Sequence, residues 1–215
     1  MKKFFVIIGI AAFLTLFLVI ILNRDRQIEP LVYEDNLNRL IVTADDHMFI
    51  LHDLSFYVGF QEGKVQEQAK IYDPEHPWNY WNVHTNGEFI KITARDNAID
   101  MMIHDWYYSK QAAENGLTLT EEELALSEDA AADYWSDLSD RGKEVLGLTR
   151  EDVSSICRDI ALAEKYMIQL SNESGRDIAV FRTGGKAWED LKDSLPIFYE
   201  KETIRRIEFG RITVN

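Results

Sequence analysis

The longest uninterrupted apolar stretch of the sequence lies at its N-terminus. Phe4 to Leu22 reads FFVIIGIAAFLTLFLVIIL, nineteen residues without a charge, and basic residues flank it on both sides. In a helix that rises 1.5 Å per residue, this length crosses the apolar core of a bilayer. The apolar part of a cleaved signal peptide is shorter, about 7–15 residues, and ends in small residues, whereas this stretch ends in Ile-Ile-Leu. The pattern therefore predicts an uncleaved transmembrane anchor over residues 1–26.

The pattern after the anchor is that of a mainly α domain at 40–215, joined to the anchor by a short polar stalk at 27–39. Thr43 and Asp46 have the spacing of a capping box, so we expect a helix to begin there. The residues that follow form one apolar stripe with helical spacing, namely His47, Ile50, Leu51, Leu54 and Val58. Residues 73–87 contain two prolines, two tryptophans and several asparagines, which predicts a loop.

Three more helices follow in the pattern. Residues 88–115 have helical periodicity, and Gly116 is placed to end that helix in a left-handed conformation. Thr120 precedes three glutamates, which favours a helix start because carboxylates stabilise the positive end of the helix dipole. Thr149 and Asp152 form a second capping box before the clearest stripe, made of Val153, Ile156, Cys157, Ile160, Ala163, Met167 and Leu170. A connector at 172–186, a short helix at 187–195 and one or two strands within 204–214 complete the predicted order.

The charge of the chain limits its partners. The formal net charge is −14, and residues 1–26 contribute +3 through Lys2, Lys3, Arg24 and Arg26 against Asp25, which leaves −17 for residues 27–215. So acidic a domain repels nucleic-acid phosphates and anionic lipid headgroups. We therefore expect no nucleic-acid binding. The acidic bulk beyond the apolar stretch favours an extracytoplasmic domain with the N-terminus inside the cell.

No pattern in the sequence supports a catalytic or metal centre. The histidines are His47, His52, His76, His84 and His104, and they form neither H-x-x-x-H nor H-E-x-x-H. The segment from Arg182 to Lys186 lacks the first glycine of a phosphate-binding loop, and Ala187 stands where a hydroxyl residue is required. Cys157, the single cysteine, falls on an apolar stripe and is predicted to be buried. We expect no catalytic residue, no metal and no cofactor.

Aromatic side chains are the candidates for binding. Trp and Tyr are favoured where a surface is half apolar and half hydrated, and they dominate binding hot spots. The candidate contacts to a polypeptide are Phe49, Phe56, Tyr57, Trp78, Trp81, Trp106 and Tyr107. The alternative is that these side chains pack the core and the loops, and the sequence leaves both interpretations open.

The order of elements from about Leu40 to the C-terminus resembles the peptide-binding domain of SurA-type chaperones, foldase (PrsA-like) lipoproteins and the trigger-factor chaperone. Ala112 to Leu124, AAENGLTLTEEEL, is similar to that family's long helix followed by Gly-Leu, a short polar segment and an acidic helix start. Gly147 to Met167 is similar to its final long helix. Trp188 to Val214 is similar to its closing helix and strand.

The resemblance implies a function as well as a fold. Family members that isomerise prolyl bonds carry a parvulin domain before the closing segment, where this chain has only residues 172–186. The resemblance therefore implies a membrane-anchored, chaperone-like domain that binds unfolded or extended polypeptide without isomerase activity. A structural or assembly subunit that docks a fixed cell-envelope partner, for secretion or polysaccharide export, is the alternative. An active peptidyl-prolyl isomerase is a third possibility.

Overall fold

The computed structural model describes residues 29–214, and the predicted anchor over residues 1–26 lies outside them. Within the described residues, no helix has the length and apolar character needed to cross a bilayer. The fold is mainly helical, as predicted. Its helices are α1 (Leu51–Tyr72), α2 (Ile90–Glu114), α3 (Glu121–Asp137), α4 (Asp140–Leu146), α5 (Arg150–Ser174), α6 (Lys186–Lys192) and α7 (Lys201–Ile204). Its strands are β1 (Leu40–Ala44), β2 (His47–Ile50), β3 (His84–Thr85), β4 (Glu88–Phe89) and β5 (Ile197–Tyr199).

The core forms around α2, which packs against both α1 and α5, while α3 packs on α5. The predicted helix at 88–115 is confirmed, and Gly116 follows it with a φ of +73°. Small and apolar residues recur on the buried side of α2, including Ala94, Ala98, Ile99, Met102, Ile103 and Ala112. Alanines at this spacing allow the neighbouring helices to approach closely.

Capping residues set the starts of α3 and α5, as predicted. The Thr120 hydroxyl accepts a hydrogen bond from the Glu123 backbone N–H at 3.2 Å, and the Glu123 carboxylate accepts one from the Thr120 N–H at 2.7 Å. Thr149 and Asp152 repeat this reciprocal pair at the start of α5. Each such cap contributes about 1 kcal/mol of helix stability. Cys157 is buried on α5, and burial raises the pKa of its thiol to about 11.

The prediction of a helix start at Thr43 is wrong, because residues 40–50 form a β-hairpin. Strands β1 and β2 pair antiparallel, and α1 begins only at Leu51. Asp45 has a φ of +55° in the two-residue turn, a conformation that Asp tolerates better than most residues. The capping carboxylate is that of Asp53, which accepts a hydrogen bond from the Ile50 N–H at 2.8 Å.

The prediction of strands within 204–214 is also wrong. The closing strand is β5, which pairs antiparallel with β1 to give the sheet order β2-β1-β5. Residues 205–214 follow an irregular path, and Ile207 and Phe209 are buried there. The alternating apolar residues of this segment therefore reflect burial against the helices, not pairing in a ladder.

One predicted loop contains short regular elements. Residues 73–87 include a 3₁₀ helix at Pro77–Asn82, and β3 and β4 form a small hairpin whose turn contains Asn86 and Gly87 in positive φ. Helix α5 continues to Ser174, three residues into the predicted connector at 172–186. The short helix predicted at 187–195 corresponds to α6.

The segment predicted as a stalk packs against the domain once it reaches Leu31. Leu31 and Tyr33 are buried, and the Tyr33 hydroxyl donates a hydrogen bond to the Leu51 carbonyl at 2.7 Å. The Leu31 N–H donates to the Arg206 carbonyl at 2.8 Å. The start of the described chain is therefore held beside its end.

Candidate functional site

The structure divides the seven candidate aromatic residues among different places. Phe49, Tyr57 and Trp106 line one cleft. Phe56 is buried elsewhere, with its ring stacked 4.2 Å from that of Tyr134. The candidate residues therefore do not form one continuous aromatic groove.

The remaining three candidates lie apart from that cleft. Trp81 is buried, and its indole N–H donates to the Gln66 side chain at 3.2 Å. Tyr107 is half-buried, with its ring 6.4 Å from that of Trp188. Trp78 is 60% exposed and lines a different cavity. The interpretation of these residues as core and loop packing holds for Phe56 and Trp81.

The cleft lined by Phe49, Tyr57 and Trp106 has a volume of about 280 Å³ and lies between β2, α1, α2 and α5. Its apolar wall consists of Phe49, Tyr57, Met102, Trp106 and Ile156. Phe49 and Trp106 meet edge to face at 5.5 Å, and the His47 ring stacks on Trp106 at 5.2 Å. The alternation of β2 directs Phe49 into the protein, so the strand and α2 together position this wall.

Four carboxylates line the same cleft, which we call the acidic cleft: Asp53, Asp105, Asp152 and Asp159. No lysine or arginine among the described residues lines it. Asp53 and Asp152 cap α1 and α5, so backbone N–H groups already occupy one oxygen of each. Loss of hydration raises the pKa of Asp159, Arg158 partly opposes this, and the charge of Asp105 raises it further. Burial, followed by the Asp105 carboxylate, raises the pKa of the Tyr57 hydroxyl well above its ordinary value.

Asp105 belongs to a buried pair with His104. The His104 Nδ1 lies 2.7 Å from the Asp105 carboxylate, and the Nε2 lies 3.0 Å from the Phe181 carbonyl. Because a carbonyl oxygen only accepts, Nε2 must donate, and a further proton must lie between Nδ1 and the carboxylate. The His104 ring therefore bridges the Asp105 carboxylate of the cleft and the Phe181 carbonyl, which fixes the position of that carboxylate. No spacing in the sequence indicates this pair, since the two residues are adjacent and the third partner is distant.

The chemistry of the acidic cleft suits a cation with an apolar stem. A lysine or arginine side chain has both parts, because its methylene groups pack on apolar surface while its charged end pairs with carboxylates. The Lys110 ammonium lies 5.1 Å from the centre of the Trp106 ring and already occupies that face of the ring. A guest cation would therefore be attracted by the carboxylates of the cleft and not by this ring. In residues 29–214 no group of three or more His, Cys, Asp or Glu side chains is arranged to hold a metal ion.

Comparisons with known proteins give no match to a family model, a curated protein or a solved structure. The resemblance to SurA-type chaperones therefore stays a prediction. Fold and site rest on the residues of this chain alone.

Proposed function

We propose that this protein is a membrane-anchored, extracytoplasmic, chaperone-like protein that binds extended polypeptide and has no isomerase activity. The observation that supports this proposal best is the position of the acidic cleft directly beside an edge strand. An extended peptide could pair with that strand and insert one side chain into the cleft. The SurA-like assignment of the helical domain is part of the same proposal.

The edge strand is β2. In the order β2-β1-β5, one side of the β2 backbone has no strand partner among the described residues. His47 and Phe49 of this strand also line the acidic cleft. Peptides that add a strand to a sheet edge gain affinity from backbone hydrogen bonds and specificity from pockets for alternate side chains. A client with a basic residue between apolar residues would satisfy both requirements.

Exposed apolar side chains form a row on the opposite face of the same sheet, where the residues of an added strand that flank the inserted side chain would lie. Thr43 of β1 is aligned with Met48 on one side and with Phe198 of β5 on the other. Met48 is 66% exposed and Phe198 is 68% exposed, so the row they form is open to an incoming chain. Apolar contact of this kind has low sequence specificity, as a binder of unfolded clients requires.

The same row supports the alternative function, a structural or assembly subunit that docks one folded cell-envelope partner. A sheet face suits a flat, complementary surface.

An active prolyl isomerase is the third possibility, but only eleven residues separate Ser174 from Lys186. That length is far too short for an additional catalytic domain.

The test uses the full chain in lipid nanodiscs and two short extended peptides, which differ only in a central lysine or norleucine. We expect the lysine peptide to bind about tenfold more tightly, equivalent to one charge-assisted hydrogen bond. Asp159→Asn should remove this preference, whereas Asp129→Asn, at an exposed position on α3 away from the cleft, should retain it. Aggregation of a denatured model protein and isomerisation of a prolyl peptide are measured in parallel.

Suppression of aggregation without isomerisation, together with the lysine preference, supports the proposal. Absence of binding to both peptides and to unfolded chains overturns it and makes a fixed envelope partner the leading account. Turnover of the prolyl peptide overturns the absence of isomerase activity.

A further inference from the structure

Basic side chains gather on one face of this acidic domain. Three adjoining cavities share their lining residues, with Arg95 and Arg205 common to two of them and Lys91 and Arg211 common to another two. We call the surface around them the basic face, and its seven cations are Lys91, Arg95, Lys192, Lys201, Arg205, Arg206 and Arg211.

Basic side chains outnumber acidic ones on the basic face. Asp96, Glu202 and Glu208 pair with its arginines, while Lys192 pairs with both Asp100 at 2.8 Å and Glu189 at 2.9 Å. Seven cations against these five carboxylates give an excess of two basic side chains, whereas residues 27–215 as a whole carry −17. The charge is therefore strongly separated between this face and the rest of the domain.

Exposed aromatic side chains line the same cavities. Trp78 is 60% exposed, and Phe89 and Tyr199 are each 41% exposed. Trp and Tyr concentrate at the boundary between lipid and water, where their rings contact apolar groups and their polar atoms stay hydrated. Cations mixed with such aromatics fit a lipid headgroup layer better than they fit a purely ionic partner.

The chain enters the described structure at this face. Pro30 lines a cavity with Arg205 and Arg206, and the Arg206 side chain donates to the Glu29 carbonyl at 3.0 Å. The apolar stretch of the sequence ends at Leu22, seven residues before Glu29. Seven extended residues reach at most about 25 Å. An anchor in that stretch would therefore hold the basic face near the membrane surface.

We propose that the basic face docks on anionic lipid headgroups beside the anchor, an inference that rests on the anchor of the proposed function. The attraction of the basic face and the repulsion of the acidic remainder act together, so they orient the domain with the basic face towards the bilayer. The sequence as a whole predicts repulsion from anionic lipid. The three-dimensional separation of charge reverses that expectation for this one face.

The experiment places the full chain in nanodiscs of phosphatidylcholine, with or without phosphatidylglycerol, that carry a headgroup-linked quencher. A fluorophore is attached through Thr93→Cys, at an exposed site between Lys91 and Arg95, or through Ser136→Cys, an exposed reference site on α3. The native Cys157 is buried with a raised pKa, so it reacts slowly with the label.

We expect strong quenching at Thr93→Cys in anionic discs only, reversed by high salt, and weak quenching at Ser136→Cys in both lipids. Neutralising Lys91, Lys201 and Arg205 to Gln should weaken docking by on the order of a hundredfold, at about fivefold per cation. The matched control neutralises Lys70, Lys143 and Arg158 to Gln, which changes the net charge equally but lines none of the three cavities. The control should dock like the unmodified chain.

The outcomes separate this inference from the proposed anchor. A chain that washes off the discs at alkaline pH contradicts the anchor itself. A chain that stays in the discs, but shows equal Thr93→Cys quenching in both lipids, overturns docking by the basic face. Equal loss of quenching in the face variant and the control variant also overturns it, since net charge would then explain the effect.

Discussion

The carboxylate of Glu62 on α1 accepts hydrogen bonds from both the backbone N–H and the hydroxyl of Thr213, each at 2.6 Å. The Gly210 N–H at 2.5 Å and the Ile212 N–H at 3.2 Å donate to the same carboxylate. Glu62 is fully buried, so burial raises its pKa, and these four donors oppose that change. One buried side chain thus binds the irregular C-terminal segment to the first long helix.

Replacement of this carboxylate should release the C-terminal segment. Glu62→Gln places an amide NH₂ among donors, so at least one buried N–H loses its acceptor. We expect the free energy of unfolding of residues 27–215 to fall by about 2–4 kcal/mol in a urea titration. Thr213→Val removes only one donor and should lower it by about 1 kcal/mol. Equal effects from the two variants would contradict the proposed role of the charged acceptor.

Gly210 should resist substitution because Trp81 lies against it. Its φ is +86°, and a Cβ there would lie 2.5 Å from the Trp81 ring. Gly87 provides the matched control, since its φ is +94° and nothing lies within 4 Å of a Cβ. Gly87→Ala should cost about 1 kcal/mol from backbone strain, and Gly210→Ala at least about 2 kcal/mol more, with a shift in tryptophan emission. Similar losses from both variants would show that the Trp81 contact adapts freely.

The ion pair between Glu123 and Lys165 should make stability depend on pH. The hydrogen bond from Lys165 at 2.7 Å, followed by the Thr120 N–H, lowers the pKa of Glu123 from 4.5 to about 2. A folded-state pKa below the unfolded value stabilises the fold above the unfolded pKa, and this stabilisation is lost as pH falls from about 4.5 to about 2. In Glu123→Gln the free energy of unfolding should therefore fall less steeply between about pH 4.5 and about pH 2 than in the native chain. Glu121→Gln, in the same turn, should not flatten it.

The buried pair of His104 and Asp105 should act as one energetic unit. His104→Phe keeps a ring against Trp188 but removes the donor of the Phe181 carbonyl and one hydrogen-bond partner of Asp105, which should lower the free energy of unfolding by about 2–4 kcal/mol. A double-mutant cycle with Asp105→Asn should give a coupling energy of at least about 1 kcal/mol. Additive effects would show that the two side chains do not act as one unit.

Residues whose partners lie nearby in the chain were predictable. Thr120 and Thr149 mark helix starts because their capping partners lie three residues away, and both caps form. Thr43 and Asp46 have similar spacing but form no cap, because β1 pairs with both β2 and β5 and this pairing holds the segment as a strand. The strand partner of Thr43 is Phe198, 155 residues further along the chain. The spacing of neighbouring residues contains no information about so distant a partner.

The candidate binding residues show the same limit. Aromatic bulk identifies Phe49, Tyr57 and Trp106 equally with Phe56 and Trp81, yet only the first three line the acidic cleft. The carboxylates of that cleft come from three helices, so no single segment of sequence contains them. Exposure of Trp78 on the basic face was likewise set by the packing of its neighbours.

The sequence by itself determined the mainly helical fold, the starts of α3 and α5, the end of α2 just before Gly116 and the burial of Cys157. These features depend on hydrogen bonds and apolar spacing within a few residues, which act wherever the segment lies. Only the tertiary structure decided the partners of β1, the acceptor of the C-terminal segment and the separation of charge into an acidic cleft and a basic face. Those features depend on burial and electrostatics between residues far apart in the chain, and folding alone brings such residues together.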